Sequence, residues 1–444
     1  MKLYNSYSLQ VEQFKPIKEG EVSMYVCGPT VYNHAHIGNA RPIVVFDTLR
    51  RVLEACGYKV TYVSNFTDVD DKIINKAIEE GSDENTVANT YIDAYNAVRN
   101  QLNVIPLDAT PRVTRTMDEI IDFIAKLVEQ GAAYEVNGDV YFSVDADNKY
   151  GELSHQRVDE LQVGARIEEN TQKKNPLDFA LWKKTDKGIQ WNSPWGRGRP
   201  GWHTECVVMI GQQFGQGMID IHGGGKDLKF PHHENEVAQS EIVNHHHLAN
   251  YWIHNGMLAF DGEKMSKSLG NVRLAKDVIG QLGANLTRYF LLSVRYRDVL
   301  NFTDEAIAAA RSELDKIIQV LKQVEVKAQL GQLNLAEGYN VDRYNEFMEA
   351  MEDDLNTPNA YTVMIDVVKQ LNQALRSRTV DSEIVSKDYN ALRMMLEVLG
   401  IKVEKVQLSE DDKQLYQKWM DAKSAKDFAT ADGLREELQK RGIL

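Results

Sequence analysis

The sequence predicts an α/β protein in which a parallel sheet carries an inserted α+β segment and is followed by an α-helical bundle. Three observations support this fold class. A strand, a loop, a helix and a second strand follow one another within residues 22–65. Short strand-like pieces interrupt the pattern between 138 and 195, and helical periodicity takes over after about residue 304. A strand–helix–strand unit of this length places its strands in parallel, with the ligand site at their carboxyl ends.

Alternating and helical apolar patterns give the elements of the sheet region. In chain order they are a strand at 22–26, a helix at 43–56, a strand at 59–65, a helix at 112–130, and strands at 218–221 and 251–254. The turn residues Gly28 and Pro29 end the first strand, and the segment TVYNHAHIGNARP between them and the first helix is predicted to be a loop.

The helical region shows apolar residues at i, i+3, i+4 and i+7, which is typical of bundle cores. Thr357 and Pro358 are predicted as the cap and first residue of one helix. The apolar faces comprise Leu314, Ile317, Ile318, Leu321 and Val324, then Tyr344, Phe347, Met348 and Met351, and finally Met364, Val367, Val368, Leu371 and Leu375.

Composition limits the class of protein. The 444 residues include 51 Lys and Arg against 65 Asp and Glu, a net charge of −14, which by itself argues against a nucleic-acid partner unless basic residues are local. Three cysteines are too few for a disulfide framework and favour a reducing compartment. The N-terminus resembles no signal peptide, and no apolar run reaches about 18 residues. A soluble, cytoplasmic protein without a membrane partner is expected.

Histidines are concentrated in one part of the chain, with eight of the eleven between His203 and His254. On a helix, His232 and Glu236 would share a face, so that both could reach one metal ion. Together with Cys27 and Cys206 they are ordinary Zn²⁺ ligands. Spacing alone leaves open the alternative of two buried thiols beside a solvated histidine pair.

Two loops have residues suited to phosphate binding. KMSKS, residues 264–268, follows a predicted turn at Asp261-Gly262 and places two lysines around small hydroxyl residues. In His36-Ile37-Gly38-Asn39, a histidine at a helix N-terminus can reach phosphate oxygens, and the glycine allows close approach of a nucleotide. A solvated basic loop is the alternative for KMSKS alone.

Five segments closely resemble the cysteinyl-tRNA synthetase family of class I aminoacyl-tRNA synthetases. HIGN and KMSKS are similar to the two signature motifs of the class, with Asn39 where histidine is common. The resemblance extends from about residue 2 to 443. The five segments are MYVCGPTVYNHAHIGNARP, SNFTDVDDKI, RPGWHTEC, DIHGGGKDLKFPHHENE and EKMSKSLGN.

Residue by residue, the resemblance implies a site for one Zn²⁺, for L-cysteine, and for ATP with Mg²⁺. The implied zinc ligands are Cys27, Cys206, His232 and Glu236. The implied cysteine contacts are Gly28, Thr67, Trp202, His222 and Asp227. The implied ATP contacts are His34, His36, Gly38, Asn39, Lys264 and Lys267, of which His36, Lys264 and Lys267 are the expected catalytic residues. His233 is expected to assist without binding the metal, His245–His247 to form a solvated loop, and Cys56 to be core.

The resemblance implies a monomeric cysteine–tRNA ligase that forms cysteinyl-adenylate from ATP and transfers cysteine to the 3′ end of tRNA-Cys. Binding of the substrate thiolate to zinc would select cysteine, so no editing domain is expected. The implied domains are a Rossmann-type catalytic domain at 1–110 and 198–255, an inserted connective subdomain at 111–197, a KMSKS-containing stem-contact region at 256–305, a helical bundle at 306–400 and a small C-terminal anticodon-binding domain at 401–444.

The last segment separates this interpretation from two rivals. Residues 401–444 hold nine basic and nine acidic residues and resemble the family's tRNA-binding signature, with Trp419, Lys423, Lys426 and Arg435 as expected RNA contacts. Related ligases that transfer cysteine to an amino-sugar lack this signature. A zinc-containing nucleic-acid-binding protein without catalysis would leave HIGN and KMSKS unexplained. Family members continue beyond the Gly-Ile at 442–443, so a shortened anticodon-binding domain is expected here.

Overall fold

The computed structural model of the chain describes residues 1–156, 172–215, 217–260 and 272–443, together with the backbone of Glu263 and Lys264. The chain forms two compact units. Unit 1 contains Met1–Thr303 with the short segment Glu352–Leu355, and unit 2 contains Asp304–Met351 and Asn356–Leu444. Across the described ranges, no helix has both the length and the apolar sequence that a membrane span requires.

The elements alternate in unit 1 and are helical in unit 2. The strands are β1 (Lys2–Asn5), β2 (Gln10–Gln13), β3 (Glu21–Val26), β4 (Lys59–Val63), β5 (Ala133–Val136), β6 (Asp139–Phe142), β7 (Phe179–Lys184), β8 (Gly198–Pro200), β9 (Ile219–Gly225), β10 (Ala249–Asn255), β11 (Leu258–Phe260), β12 (Glu263–Lys264) and β13 (Leu300–Phe302). The helices of unit 1 are α1 (Ile37–Ala55), α2 (Asp71–Glu80), α3 (Glu84–Gln101), α4 (Met117–Glu129), α5 (Glu205–Phe214), α6 (Glu234–Asn244), α7 (Ala275–Leu282) and α8 (Ala284–Leu291). The remaining helices are α9 (Asp304–Gln329), α10 (Val341–Glu352), α11 (Thr357–Leu375), α12 (Ser382–Val398), α13 (Glu410–Ser424) and α14 (Phe428–Lys440).

The predicted parallel sheet is confirmed and forms the centre of unit 1. Its order is β10-β9-β3-β4, and every neighbouring pair is parallel. In the register of β3 against β9, Tyr25 pairs with His222 and Val26 with Gly223. Cys27, the next residue, therefore emerges at the carboxyl end of the sheet beside the end of β9, which is where ligands bind in such folds.

The first helix begins six residues earlier than predicted, at Ile37 instead of Ile43, so the segment predicted as a loop up to Pro42 is wrong in its second half. His36 is the extended residue before the helix, and its backbone N–H donates to the Asn39 side chain at 3.1 Å. Pro42 lies in the second turn, where its missing N–H removes only the bond to the carbonyl of residue 38. One lost hydrogen bond does not outweigh the burial of Ile37 and the residues that follow it.

The inserted segment builds a second sheet on the same core. Strands β5, β6, β7 and β8 pair antiparallel in that order, and α4 matches the helix predicted at 112–130 after a short 3-10 turn. One continuous apolar core includes Tyr25 and Val63 of the parallel sheet and Phe142 and Trp182 of the antiparallel sheet. Shared burial of this kind gives the inserted sheet a fixed packing against the parallel sheet.

Unit 2 has the helical character that its apolar spacing predicts. All five predicted apolar residues of α11 are buried, as are Leu314, Ile317, Leu321 and Val324 of α9. The start of α11 differs by one residue, because the cap is Asn356 and not Thr357. The Asn356 side chain accepts the N–H of Asn359 at 3.4 Å, which is the position an N-cap normally reaches.

Candidate active site

The four predicted metal ligands come from separate parts of unit 1 and meet at one point. Cys27 follows β3, Cys206 lies in the first turn of α5, and Glu236 lies in the first turn of α6 just after His232. One ligand atom from each of the four lies within 4.8 Å of the others. His232, Glu236 and Cys206 are buried, and Cys27 is partly exposed.

The spacing of these atoms fits a tetrahedral zinc ion. The two Sγ atoms are 3.6 Å apart, Cys27 Sγ lies 3.6 Å from Glu236 Oε1, and Cys206 Sγ lies 3.8 Å from His232 Nε2. Zinc bonds of about 2.0–2.3 Å place neighbouring ligand atoms about 3.3–3.8 Å apart. His232 Nε2 and Glu236 Oε1 are closer, at 2.9 Å, because they form an ion pair. Two thiolates, an imidazole and a carboxylate are a zinc donor set.

The electrostatics of the cluster favour charged ligands. Burial opposes ionisation of Glu236, but His222 and His232 hold its pKa well below the usual range. The hydrogen bond with Cys27 lowers the pKa of Cys206 to about 7, whereas burial raises that of Cys27 well above its ordinary value. Although burial opposes it, Glu236 raises the pKa of His232 to about 10. The cluster therefore has one carboxylate and one easily ionised thiol, both of which attract a cation, while His232 must release its proton before its Nε2 can bind a metal.

Other histidines that the sequence did not assign as ligands surround the cluster. His222 bridges from the Tyr25 carbonyl, 3.2 Å from its Nδ1, to Glu236 Oε2, 2.6 Å from its Nε2. His233 lies 3.3 Å from Cys27 Sγ and 2.8 Å from His254. Cys27, His222, His233 and Glu236 form a second group with the spacing of metal ligands. The concentration of histidines between His203 and His254 indicated that these residues lie near the site, but it did not predict which groups they contact.

A cavity of about 300 Å³ extends from Cys27 to the start of α1. Of the predicted cysteine contacts, Gly28, Trp202 and Asp227 line it. The indole of Trp202 also stacks on His232, with ring centres 4.2 Å apart. A Cβ on Gly28 would lie 1.6 Å from the backbone oxygen of Asn65, so only glycine allows this wall its close approach.

The other two predicted cysteine contacts do not line the cavity. His222 is fully buried behind Glu236. Thr67 is buried as well, and its hydroxyl donates to Glu205 Oε2 at 2.8 Å while its backbone pairs with Pro29 and Val31. Both residues therefore support the wall of the cavity from behind in this structure.

The predicted ATP loop lies at the other end of the cavity. His36, Gly38 and Asn39 line it. The chain that follows KMSKS returns to the same place, because Ile37 N–H donates to the Arg273 carbonyl at 2.9 Å and Ala275 N–H to Ala35 at 2.9 Å. Backbone hydrogen bonds thus join the HIGN loop to residues 273–275 at the helix N-terminus, a natural position for phosphate.

The other predicted ATP contacts are His34, Lys264 and Lys267. His34 does not line the cavity; its Nε2 lies 3.4 Å from Lys276 Nζ, and its ring packs on Tyr91. The side chain of Lys264, together with Lys267 and the predicted turn at Asp261-Gly262, lies outside the described residues.

Two family models match the chain in the regions where these features lie. Residues 13–312 match the tRNA synthetases class I (C) catalytic domain, and residues 346–404 match the DALR domain. The first match contains all four candidate metal ligands and both phosphate loops.

Similar proteins agree with the family models. The chain is 47% identical to the cysteine–tRNA ligase of Staphylococcus epidermidis and 46% identical to that of Oceanobacillus iheyensis, in each case over 100% of this chain and 97% of the relative.

Solved structures share the fold at low identity. A methionyl-tRNA synthetase from Mycobacterium tuberculosis in complex with methionyl-adenylate matches with a TM-score of 0.62 at 15% identity, covering 85% of this chain and 89% of that one. A putative arginyl-tRNA synthetase from Campylobacter jejuni gives 0.60 at 17%, covering 88% and 95%. The chain belongs to the cysteine–tRNA ligase family of class I aminoacyl-tRNA synthetases.

Proposed function

We propose that this chain activates L-cysteine with ATP and transfers it to the 3′ end of tRNA-Cys, with cysteine selected at a zinc ion held by Cys27, Cys206, His232 and Glu236. The observation that carries this proposal is the convergence of the four ligand atoms at one end of the cavity whose other end is the N-terminus of α1. Relatives at 46–47% identity over the full chain bear the name of this activity, and residues 346–404, which follow the catalytic-domain match in the sequence, match the DALR domain.

The chemistry of the first step requires positioning and charge stabilisation. The cysteine carboxylate attacks the α-phosphorus of ATP, giving cysteinyl-adenylate and pyrophosphate, and no side-chain nucleophile is required. In our proposal the start of α1, with His36 and Gly38, receives the phosphates, because the positive end of the helix dipole attracts anions. Lys264 and Lys267 are proposed to stabilise the charge that develops on pyrophosphate. In the second step a terminal ribose hydroxyl of the tRNA attacks the adenylate carbonyl and AMP leaves.

The choice of cysteine over serine needs more than a cavity of the right size, because the two side chains differ little in volume. Bound by the four residues, Zn²⁺ would accept a thiolate as a further ligand, whereas a hydroxyl is harder and ionises poorly. Discrimination by one strong polar contact reaches about 10⁴–10⁵ in known synthetases. Trp202, stacked on His232 and lining the cavity, is positioned to cover the substrate side chain at this point.

The proposal is tested first by cysteine-dependent exchange of labelled pyrophosphate into ATP, with zinc content measured on the same samples. We expect the unaltered chain to exchange and Cys27→Ser to lose zinc and, with it, more than about 100-fold in exchange. Cys56→Ser is the matched control, because Cys56 ends α1 away from the cluster, and it should keep both properties. Metal-free protein that activates cysteine at the full rate would refute zinc-based selection.

The tRNA half of the proposal is tested by charging. The unaltered chain should attach labelled cysteine to tRNA-Cys and leave tRNA of another specificity uncharged. Exchange without charging would instead favour transfer of cysteine to a small amine acceptor.

A further inference from the structure

We propose that Arg41 is a positioning residue for ATP, which acts by fixing the backbone wall that closes the nucleotide end of the cavity. The inference rests on the proposed function for its ligand. It concerns a side chain inside α1, two residues beyond HIGN, that is not among the residues lining the cavity and lies outside both HIGN and KMSKS.

Within the part of the chain that the structure describes, the guanidinium of Arg41 donates its hydrogen bonds to backbone carbonyls alone. Its Nη1 donates to the carbonyls of Gly256 and Met257, at 2.9 and 2.8 Å, and its Nη2 lies 3.3 Å from the carbonyl of Arg295. Gly256 and Met257 line the cavity, in a run from Asn255 to Leu258 that links β10 to β11. The planar fork of an arginine can hold two or more carbonyls in a fixed relation, which the single ammonium of a lysine cannot.

The burial of Arg41 is costly and therefore needs a reason. The side chain is fully buried, and burial lowers its pKa to about 10 against the opposing effect of Asp298. None of its hydrogen bonds among the described residues goes to a carboxylate, and its Nε is buried without a partner there. A buried charge that pairs with carbonyl dipoles alone gains less than a paired ion, and an apolar side chain would fill the space more cheaply. What Arg41 contributes is the fixed position of three carbonyls.

This arrangement connects the two sides of the nucleotide half of the cavity to one helix. On one side, His36, Gly38, Asn39 and Pro42 of the α1 start line the cavity directly. On the other side, the 255–258 run is held against α1 by Arg41. The distance between the two sides therefore depends on the Arg41 hydrogen bonds, whereas the Cys27, Gly28 and Trp202 end of the cavity is built from other elements.

The inference predicts a selective effect on ATP. In Arg41→Lys, the loss of hydrogen bonds to the Gly256, Met257 and Arg295 carbonyls should release this wall and raise the KM for ATP in pyrophosphate exchange by about tenfold. The KM for cysteine and the zinc content should stay near those of the unaltered chain. Equilibrium binding of ATP, measured by calorimetry without cysteine, should weaken by the same factor.

Arg288→Lys is the matched control for general destabilisation. Arg288 is equally buried and also donates to a carbonyl, that of Leu102 at 2.8 Å, but its carboxylate partner is Asp47 and it touches no wall of the cavity. It should lower Tm at least as much as Arg41→Lys and leave the KM for ATP unchanged.

Three outcomes would overturn the inference: an unchanged KM for ATP in Arg41→Lys, equal rises in the KM for ATP and for cysteine, or the same ATP effect in Arg288→Lys. If the unaltered chain exchanged no pyrophosphate, the proposed function would fail, and the calorimetric comparison of ATP binding would still decide the role of Arg41.

Discussion

Glu236 uses its two carboxylate oxygens for two different histidines. Oε1 lies 2.9 Å from His232 and faces Cys27, while Oε2 lies 2.6 Å from His222. Oε1 is therefore the oxygen that faces the other candidate ligands, and His222 fixes the orientation of the carboxylate from behind through Oε2. His222 is itself fixed by the Tyr25 carbonyl. Groups that orient a ligand in this way normally affect metal affinity almost as strongly as the ligands.

Replacement of His222 tests this orienting role. His222→Gln should lower zinc affinity by about 10–100-fold, because Glu236 loses the partner that holds Oε2. The measurement is a competition titration against a chromophoric chelator. His247→Gln is the matched control, since His247 also pairs with a glutamate, Glu241 at 2.7 Å, but on the surface. Unchanged affinity in His222→Gln would contradict the role.

The pKa values of the cluster predict how zinc binding depends on pH. Below pH 7, Cys206, whose pKa is about 7, must lose its proton when it binds a metal ion, whereas above that pH it is already a thiolate. The apparent affinity of the metal-free chain for zinc should therefore rise with pH. A plot of the logarithm of this affinity against pH should become less steep by about one proton as the pH passes about 7. His203 and His254 stay neutral over this range, because burial lowers the pKa of each to about 3. A constant slope from about pH 6 to 8.5 would refute the assignment.

At the scale of elements, the site depends on how closely α1 packs against the sheet. Phe46 of α1 is fully buried, and its ring lies where a side chain of residue 223 on β9 would be. The position of α1 in turn sets His36 and Asn39 on the cavity. The contact of Phe46 with Gly223 therefore links the packing of the sheet to the geometry of the nucleotide end.

Gly223→Ala tests this packing. The new Cβ would lie 2.3 Å from the Phe46 ring, so α1 must shift, and we expect a loss of about 1–3 kcal/mol in the free energy of unfolding. Phe46→Leu in the same chain should recover part of this loss, because the smaller side chain vacates the contact. Urea unfolding of the four members of the cycle gives the coupling energy. Additive losses in the double variant would show that the two residues do not compete for space.

The sequence predicted those elements whose patterns involve residues close to one another in the chain. The parallel strands and the bundle faces carry period-2 and period-3.6 patterns, and His232 with Glu236 share a helix face, so these predictions needed only neighbours in the chain. The start of α1 was predicted wrongly because the apolar pattern begins only at Ile43, whereas the helical residues before it include Gly38, Asn39 and Arg41. Residues 255–258, which form one wall of the cavity, contain no charged residue and no recognised motif. Their position depends on strand pairs between distant parts of the chain, β10 with β9 and β11 with β13. Arg41 could not be assigned for the same reason.

At the scale of the whole molecule, the net charge of −14 gives little guidance to function, because the relevant charges are local. The candidate metal ligands, the cavity and the start of α1 all belong to unit 1, whereas the predicted RNA contacts Trp419 and Lys423 belong to unit 2. Each unit also has a core of its own, since a separate apolar cluster in unit 2 includes Val326, Tyr416 and Leu438. The two units are therefore expected to respond differently to loss of the metal.

Chelation of zinc from the loaded chain should loosen unit 1 and leave unit 2 unchanged. Without the cation, the bonds from the metal that would connect β3, α5 and the start of α6 are lost, and only the weaker contacts among the four side chains remain there. Hydrogen exchange with and without chelator should show faster exchange in peptides covering 205–214 and 229–244. Peptides covering α11 and α12 of unit 2 are the internal control and should not change. Equal acceleration of exchange in both units, or in neither, would contradict the prediction that zinc stabilises unit 1. Slow exchange that returns when zinc is added back would exclude damage by the chelator.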